Sequence, residues 1–233
     1  MPFCYFITFA NTPGAQLDDA DKAGIKMLVA ATPGLTHADL HMPTVTEDIY
    51  TADGPSPPLA LQLYFDELVT LEKAIAAGGH LQRLAVAGAW PSLEGAKATQ
   101  QAMYARSFPV DAGAVDERRC SFLVHYPGPA ADLNAWLNHY VAGHPPLMRR
   151  FPGIRQIEIL TRVDWLDAMP LERVEHMQRN RVVFDTPEAL TQALQSPVRH
   201  ELRADFHKFP PYEGGSFHFP MISEAIRSAS PPR

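Results

Sequence analysis

Cysteine is scarce in this 233-residue chain: only Cys4 and Cys120 are present. Two thiols neither frame a disulfide-rich fold nor complete a zinc site by themselves, so a reducing cytoplasm is the expected setting. Positive charge is also short. Twenty Lys and Arg against 26 Asp and Glu leave a formal net charge of −6, the wrong sign for a nucleic-acid-binding surface. No apolar run approaches the ~18 residues of a membrane span. The apolar N-terminus lacks the basic flank and small-residue cleavage site of a signal peptide. No GxGxxG follows a predicted strand, and no phosphate loop or c-type haem motif occurs, so nucleotide, flavin and haem signatures are missing. The expectation is a protein with no nucleic-acid partner, no membrane partner and no organic cofactor.

What is present is globular. Hydrophobic residues make up 46% and charged residues 20%, enough to build a core. The 22 prolines fall in short clusters, such as Pro55, Pro57 and Pro58, that punctuate elements. The most informative feature is an internal repeat. Thr32-Pro33-Gly34-Leu35 returns as Phe151-Pro152-Gly153-Ile154, and Leu63-Tyr64-Phe65-Asp66 as Val182-Val183-Phe184-Asp185, both 119 positions later. A constant offset across two motifs predicts two copies, 1–90 and 118–212. Residues 91–117 would then be a connector with a short helix, and 213–233 a C-terminal tail.

Each copy reads β-α-β-β-α-β. In the second, 120–126 has strand composition. Leu133, Trp136, Leu137, Tyr140 and Val141 form one helical stripe, which Gly143 and Pro145-Pro146 are expected to end. Strands are expected at 155–161, 179–184 and 203–209, with a helix capped by Thr186 before Pro187. This order is the ferredoxin-like split βαβ unit, which leaves one sheet face bare. Two units can press their bare faces together, so the predicted fold class is α+β: two ferredoxin-like βαββαβ repeats closing a pseudo-dimeric α+β barrel, with a small-molecule pocket between the sheets.

The second copy resembles the EthD family of dimeric α+β barrels. The resemblance rests on Trp136, Tyr140, His144-Pro145-Pro146-Leu147 and Phe151-Pro152-Gly153-Ile154, then Phe184 to Leu190, Ser196-Pro197 and Asp205 to Phe209. It covers most of 120–212. In the first copy the family histidine falls on Ile25, which implies one reactive site in place of two. The resemblance implies cofactor-free chemistry on small aromatic or carbonyl compounds.

Strand alternation supplies an independent handle. His37, Asp39 and His41 share one face, with Gln156 and Glu158 as their counterparts in the second copy. Ala38, Leu40, Ile157 and Ile159 occupy the apolar face that helices should cover. Gln62, Tyr64, Arg179 and Arg181 are expected to point into the barrel by the same logic, and so are the aligned Phe6 and His125.

These residues suit acid/base work, because an imidazole titrates near neutrality and a positioned acid or base contributes ~10²–10⁴-fold in rate. The candidates are His37, His41 and His144 as acid or base, with Asp39 and Glu158 sharing or orienting protons. His125, Tyr64, Arg181, Gln156 and Trp136 are the candidates for holding substrate. Each has a plainer role: His144 as a helix-end cap, His37 and His41 on a strand edge, Trp136 in the core. His-x-Asp-x-His along a strand holds its imidazoles ~13 Å apart, too far for one ion, so no metal is expected. The predicted function is a cofactor-independent lyase, isomerase or cyclase acting on a small aromatic or carbonyl compound. Two rivals are a cofactor-free monooxygenase of a phenol or quinol and a non-catalytic binding protein. A homodimer is possible.

Overall fold

The structure is a computed structural model describing residues 2–10, 15–113 and 116–229. In chain order its elements are β1 (Phe3–Ala10), α1 (Asp19–Ala30), β2 (His37–Pro43), β3 (Leu59–Phe65), α2 (Leu68–Ile75) and β4 (Lys97–Phe108). The C-terminal half follows with β5 (Arg118–Tyr126), α3 (Leu133–Met148), β6 (Gln156–Arg162), β7 (Glu172–Arg173), β8 (Gln178–Phe184), α4 (Pro187–Leu194), α5 (Pro197–Phe206) and β9 (Phe217–Arg227). The strands run β1-β3-β2-β9-β5-β8-β6-β4, and β4 returns to pair with β1. Apart from the two-residue β7, which lies parallel to β4, every pairing is antiparallel. The result is an α+β fold around a closed eight-stranded barrel. Among the described residues no helix is long and apolar enough to cross a membrane.

Alternation along the strands divides the core in three. Tyr5, Ile7, Leu61 and Leu63 face outward onto α1 and α2 with Ile25 and Leu71. Val124, Tyr126, Val182 and Phe184 face outward onto α3, α4 and α5 with Trp136, Tyr140 and Leu190. Cys4, Phe6, Leu123, Leu160 and Met221 fill the barrel itself. Helix starts follow local chemistry: Asp18 caps α1 through the Asp21 amide at 2.7 Å, and Thr186 caps α4 just before Pro187.

Four expectations about elements are corrected. The connector 91–117 contains a 3-10 turn at Pro91–Leu93 and also the twelve-residue β4. Few β-branched or aromatic residues mark β4, so it does not advertise itself by composition. The tail 213–233 contains β9, an eleven-residue strand that includes Pro220, a residue that cannot donate to the ladder. Residues 203–206 belong to α5, where Val198 and Leu202 supply an i,i+4 buried pair. Helix α3 runs through Gly143, Pro145 and Pro146 to Met148, because proline's fixed φ is itself helical and its cost is local.

β4 and β9 stitch the halves together. β4 pairs with β1 of its own half and β6 of the other, and β9 pairs with β5 and β2. The register also corrects one alignment. Phe6 lies opposite Gln62 but His125 lies opposite Arg179, two residues off the 119 offset. A two-residue slip keeps side-chain facing, so Phe6 and His125 both still point inward, as expected.

Candidate active site

Two places gather chemistry-bearing side chains. The first is the barrel interior. Asp39 of β2 accepts hydrogen bonds from Arg119 of β5 and Arg181 of β8. Burial alone would raise its pKa, but Arg181 and Arg119 pull it down to about 2. Arg181 also reaches Gln156 at 3.3 Å and stands 3.7 Å from Glu158. Tyr64 donates to Glu158 at 2.5 Å and stacks flat on His37, with ring centroids 4.3 Å apart. Burial pushes Glu158 up, against the pull of Arg181 and Tyr64. His41 is closed on both sides, with Nδ1 2.7 Å from Ser223 and Nε2 3.0 Å from Gln62. Burial lowers its pKa to about 3, so this imidazole is neutral at pH 7. Arg179 sits 4.4 Å over the Phe6 ring, its Nη1 2.9 Å from both nitrogens of His125. Burial drops His125 well below the usual histidine range, with Arg179 adding to the effect.

The barrel interior is thus where the strand alternation put His37, Asp39, His41, Tyr64, His125, Gln156, Glu158 and Arg181. These polar groups are largely spent on one another. A charge cluster removed from water needs such mutual partners, and here Asp39 ties β2 of one half to β5 and β8 of the other.

The second place is a cleft of about 560 Å³, counting its mouth, on the outer face of the C-terminal half. Its apolar walls include Phe122, Val182, Met148, Leu202 and Phe206, and its polar members include His144, Asn180, Arg199, Arg203, Ser216 and His218. His144 Nδ1 lies 2.8 Å from Asp205 Oδ2. With Nδ1–H donated to the carboxylate, Nε2 is the nitrogen left for a ligand. Burial lowers the His144 pKa, against the opposing pull of Asp205, and the hydrogen bond from His144 holds Asp205 down in turn. A neutral imidazole backed by a carboxylate is the arrangement of a general base. Trp136 does not line this cleft; it is fully buried and stacks on Tyr140 at 5.1 Å, which makes it core.

The two halves differ most at this cleft. At the 119 offset, His144 corresponds to Ile25, Asn180 to Leu61 and Gln178 to Leu59. The β2–β3 and β6–β8 pairings share one register at that offset, so Leu61 and Asn180 hold matching places in them. The crossing loops differ as well. Residues 163–177 plug the N-terminal half by sinking Trp165 and Met169 into its core. Residues 44–58 cover the cleft of the C-terminal half with Thr51 and leave Tyr50 partly exposed. That second loop is pinned by Asp48 to Arg199 (2.8 Å), Tyr50 to His200 (2.5 Å) and Asp53 to His218 (2.7 Å). Sequence reasoning found His144 but missed Asp205, Asn180 and Gln178. The signal was available: Asn180 is a polar residue on a face whose counterpart, Leu61, is apolar. Among the described residues no three His, Cys, Asp or Glu side chains group to hold a metal ion.

No protein-family model matches the chain, and no curated protein matches it by sequence. Solved structures do share the fold. An anthrone oxidase-like protein superposes with a TM-score of 0.65 at 12% identity, over 98% of this chain and 93% of that one. A candidate monooxygenase from Lactobacillus acidophilus gives 0.53 at 10% identity, over 97% of both chains. An EthD family protein from Bacillus halodurans aligns with 42% of this chain and 96% of its own, at 22% identity and a TM-score of 0.33. The first two likenesses show a shared α+β barrel fold. The EthD family itself stays a resemblance.

Proposed function

We propose that the chain is a cofactor-independent acid/base enzyme for a small aromatic or carbonyl compound. It would be a fused pair of ferredoxin-like halves (1–90 and 118–212, extended by β4 and β9), of which the second keeps the reaction pocket. One observation carries this reading: His144, hydrogen-bonded to Asp205, lines a cleft with apolar and polar walls, at a position where the 119 offset gives isoleucine. His144 Nε2 takes a proton from an acidic C–H or O–H of the substrate, and Asp205 holds the imidazole in the tautomer that can accept it. His37, His41, Asp39 and Glu158 hold the barrel in this reading. A reducing cytoplasm suits the two buried free thiols. A homodimer would have to form through helices and loops, since every barrel strand has both edges paired.

The fate of the deprotonated species separates two readings. Protonation elsewhere or loss of a leaving group gives the lyase, isomerase or cyclase. Reaction with dioxygen gives the monooxygenase, which the oxidase-like and monooxygenase names among proteins of this fold favour. Incubating the protein in D₂O with enolisable aryl ketones and phenols, anthrone among them, reads proton abstraction as deuterium uptake and the second step as oxygen consumption. His144→Gln should lower the rate ~10²–10⁴-fold, Asp205→Asn by less, and His41→Gln should leave it near wild type. Full activity in His144→Gln with loss in His41→Gln would move the reaction into the barrel. Tight retention of a ligand with no turnover would make this a binding protein.

A further inference from the structure

The outward face of β8 carries an anomaly. The matching positions on β3, packed in the N-terminal core, are Leu59 and Leu61. On β8 the same positions are Gln178 and Asn180, both essentially without solvent exposure. The Asn180 amide donates through Nδ2 to the Tyr140 hydroxyl at 2.5 Å, and its Oδ1 has no partner. The Gln178 amide lies beside the same hydroxyl, with neither amide atom in hydrogen-bonding geometry. Turning the Asn180 amide over only exchanges which of its two ends goes unpaired. A buried polar atom left unpaired costs roughly 1–3 kcal/mol, and leucine at these positions would avoid that cost.

Asn180 lines the cleft that also holds His144, and the Tyr140 ring lies 4.9 Å from the His144 ring. Asn180 thus brings an amide whose buried Oδ1 has no partner into the wall of a cleft that Phe122, Val182 and Phe206 also line. A ligand seated there meets apolar side chains that can hold a ring, with Asn180 as one polar contact and Arg199, Arg203, Ser216 and His218 among the other polar groups of the lining. We infer that Asn180, with Tyr140 and Gln178 behind it, is a specificity-determining site that recognises the hydroxyl of a phenolic ligand. The inference rests on the cleft being the ligand site but not on His144 acting as a base. A phenol O–H satisfies the bare Oδ1, and the phenol oxygen can accept from the neighbouring donors. An aryl ether of the same shape offers no proton and leaves the Oδ1 bare. Sites built to bond a hydroxyl reject analogues lacking it far more strongly than apolar pockets reject a missing methylene.

The test is calorimetric titration of the intact chain with 4-ethylphenol and 4-ethylanisole. Wild type should bind the phenol at least about tenfold more tightly, equivalent to about 1.4 kcal/mol. Asn180→Leu, which installs the residue found at the counterpart position, should erase that preference while keeping affinity for the ether. His144→Leu should retain the preference, so loss of the base reading and loss of this one are told apart. Equal binding of the two probes by wild type, as expected if a fixed water satisfies the amide, overturns the inference. So does failure to bind either at millimolar concentration, or an Asn180→Leu variant that still prefers the phenol. The wild-type comparison stands even where the leucine variant does not fold.

Discussion

Asp39 is fully buried and accepts from two guanidiniums contributed by two other strands. Replacing it with asparagine leaves two buried cations facing a neutral amide, and breaking such a cluster costs ~3–5 kcal/mol. Urea unfolding of Asp39→Asn at pH 7 should show a loss of that size; a loss under 1 kcal/mol would mean the cluster is not holding the barrel. The histidines add a pH dependence. His41 and His176 are each lowered to about 3, mainly by burial. The unfolded chain binds protons at these sites below pH ~6.5 while the folded chain refuses them, so stability falls as pH drops from 6.5 toward 3. Asp39 acts lower: its stabilisation is complete above its unfolded pKa of ~3.9 and is lost as pH falls through about 2. Unfolding midpoints taken from pH 7 to pH 4.5 should therefore decline, and His41→Gln should decline less steeply than wild type.

Loops and helices decide which half keeps a cleft. The crossing loop at 163–177 inserts Trp165 and Met169 into the N-terminal core, while 44–58 lies over the C-terminal cleft on polar latches. Arg199 and Asp48 are both largely buried at their contact, so this latch has more weight than an exposed pair. Asp48→Asn should free the loop, and limited proteolysis should then cut within 44–58 several-fold faster than in wild type, with the barrel melting temperature little changed. An unaltered cleavage rate would assign the loop's position to its remaining contacts. Helix α3 holds His144 one turn after Tyr140, and its continuation through two prolines sets the imidazole against Asp205 of α5. A helix ending at Gly143, as the sequence alone suggested, would have left that histidine in a loop.

At the scale of the molecule, closure rests on the two strands that composition hid. β9 pairs with β5 over residues 217–224 and with β2 over residues 221–227. A chain ending at residue 213 would expose the edges of those two strands, which invites association with other chains. Such a chain should elute as aggregate in gel filtration and lose its cooperative melt. A compact, cooperatively melting truncation would show that 213–233 is dispensable after all. How far the site could be read beforehand varies with the kind of evidence it needs. Period-two alternation is local, and it put His37, Asp39, His41, Tyr64, Glu158 and Arg181 on the inner face with no knowledge of their partners. The cleft could not be read that way. Its histidine and carboxylate come from two helices 61 positions apart, and its openness depends on what a loop from the other half leaves unfilled.

The sequence by itself determined the element types of the clearest strands and helices and the inward and outward faces of those strands, because each follows from spacing within a few residues. Tertiary structure alone decided that the inward acids and bases neutralise one another, that β4 and β9 close the ring, and that an imidazole held by Asp205 lines a cleft outside it. Those outcomes depend on which distant groups meet, and burial converts such meetings into fixed protonation states and unpaired polar atoms that no local pattern encodes.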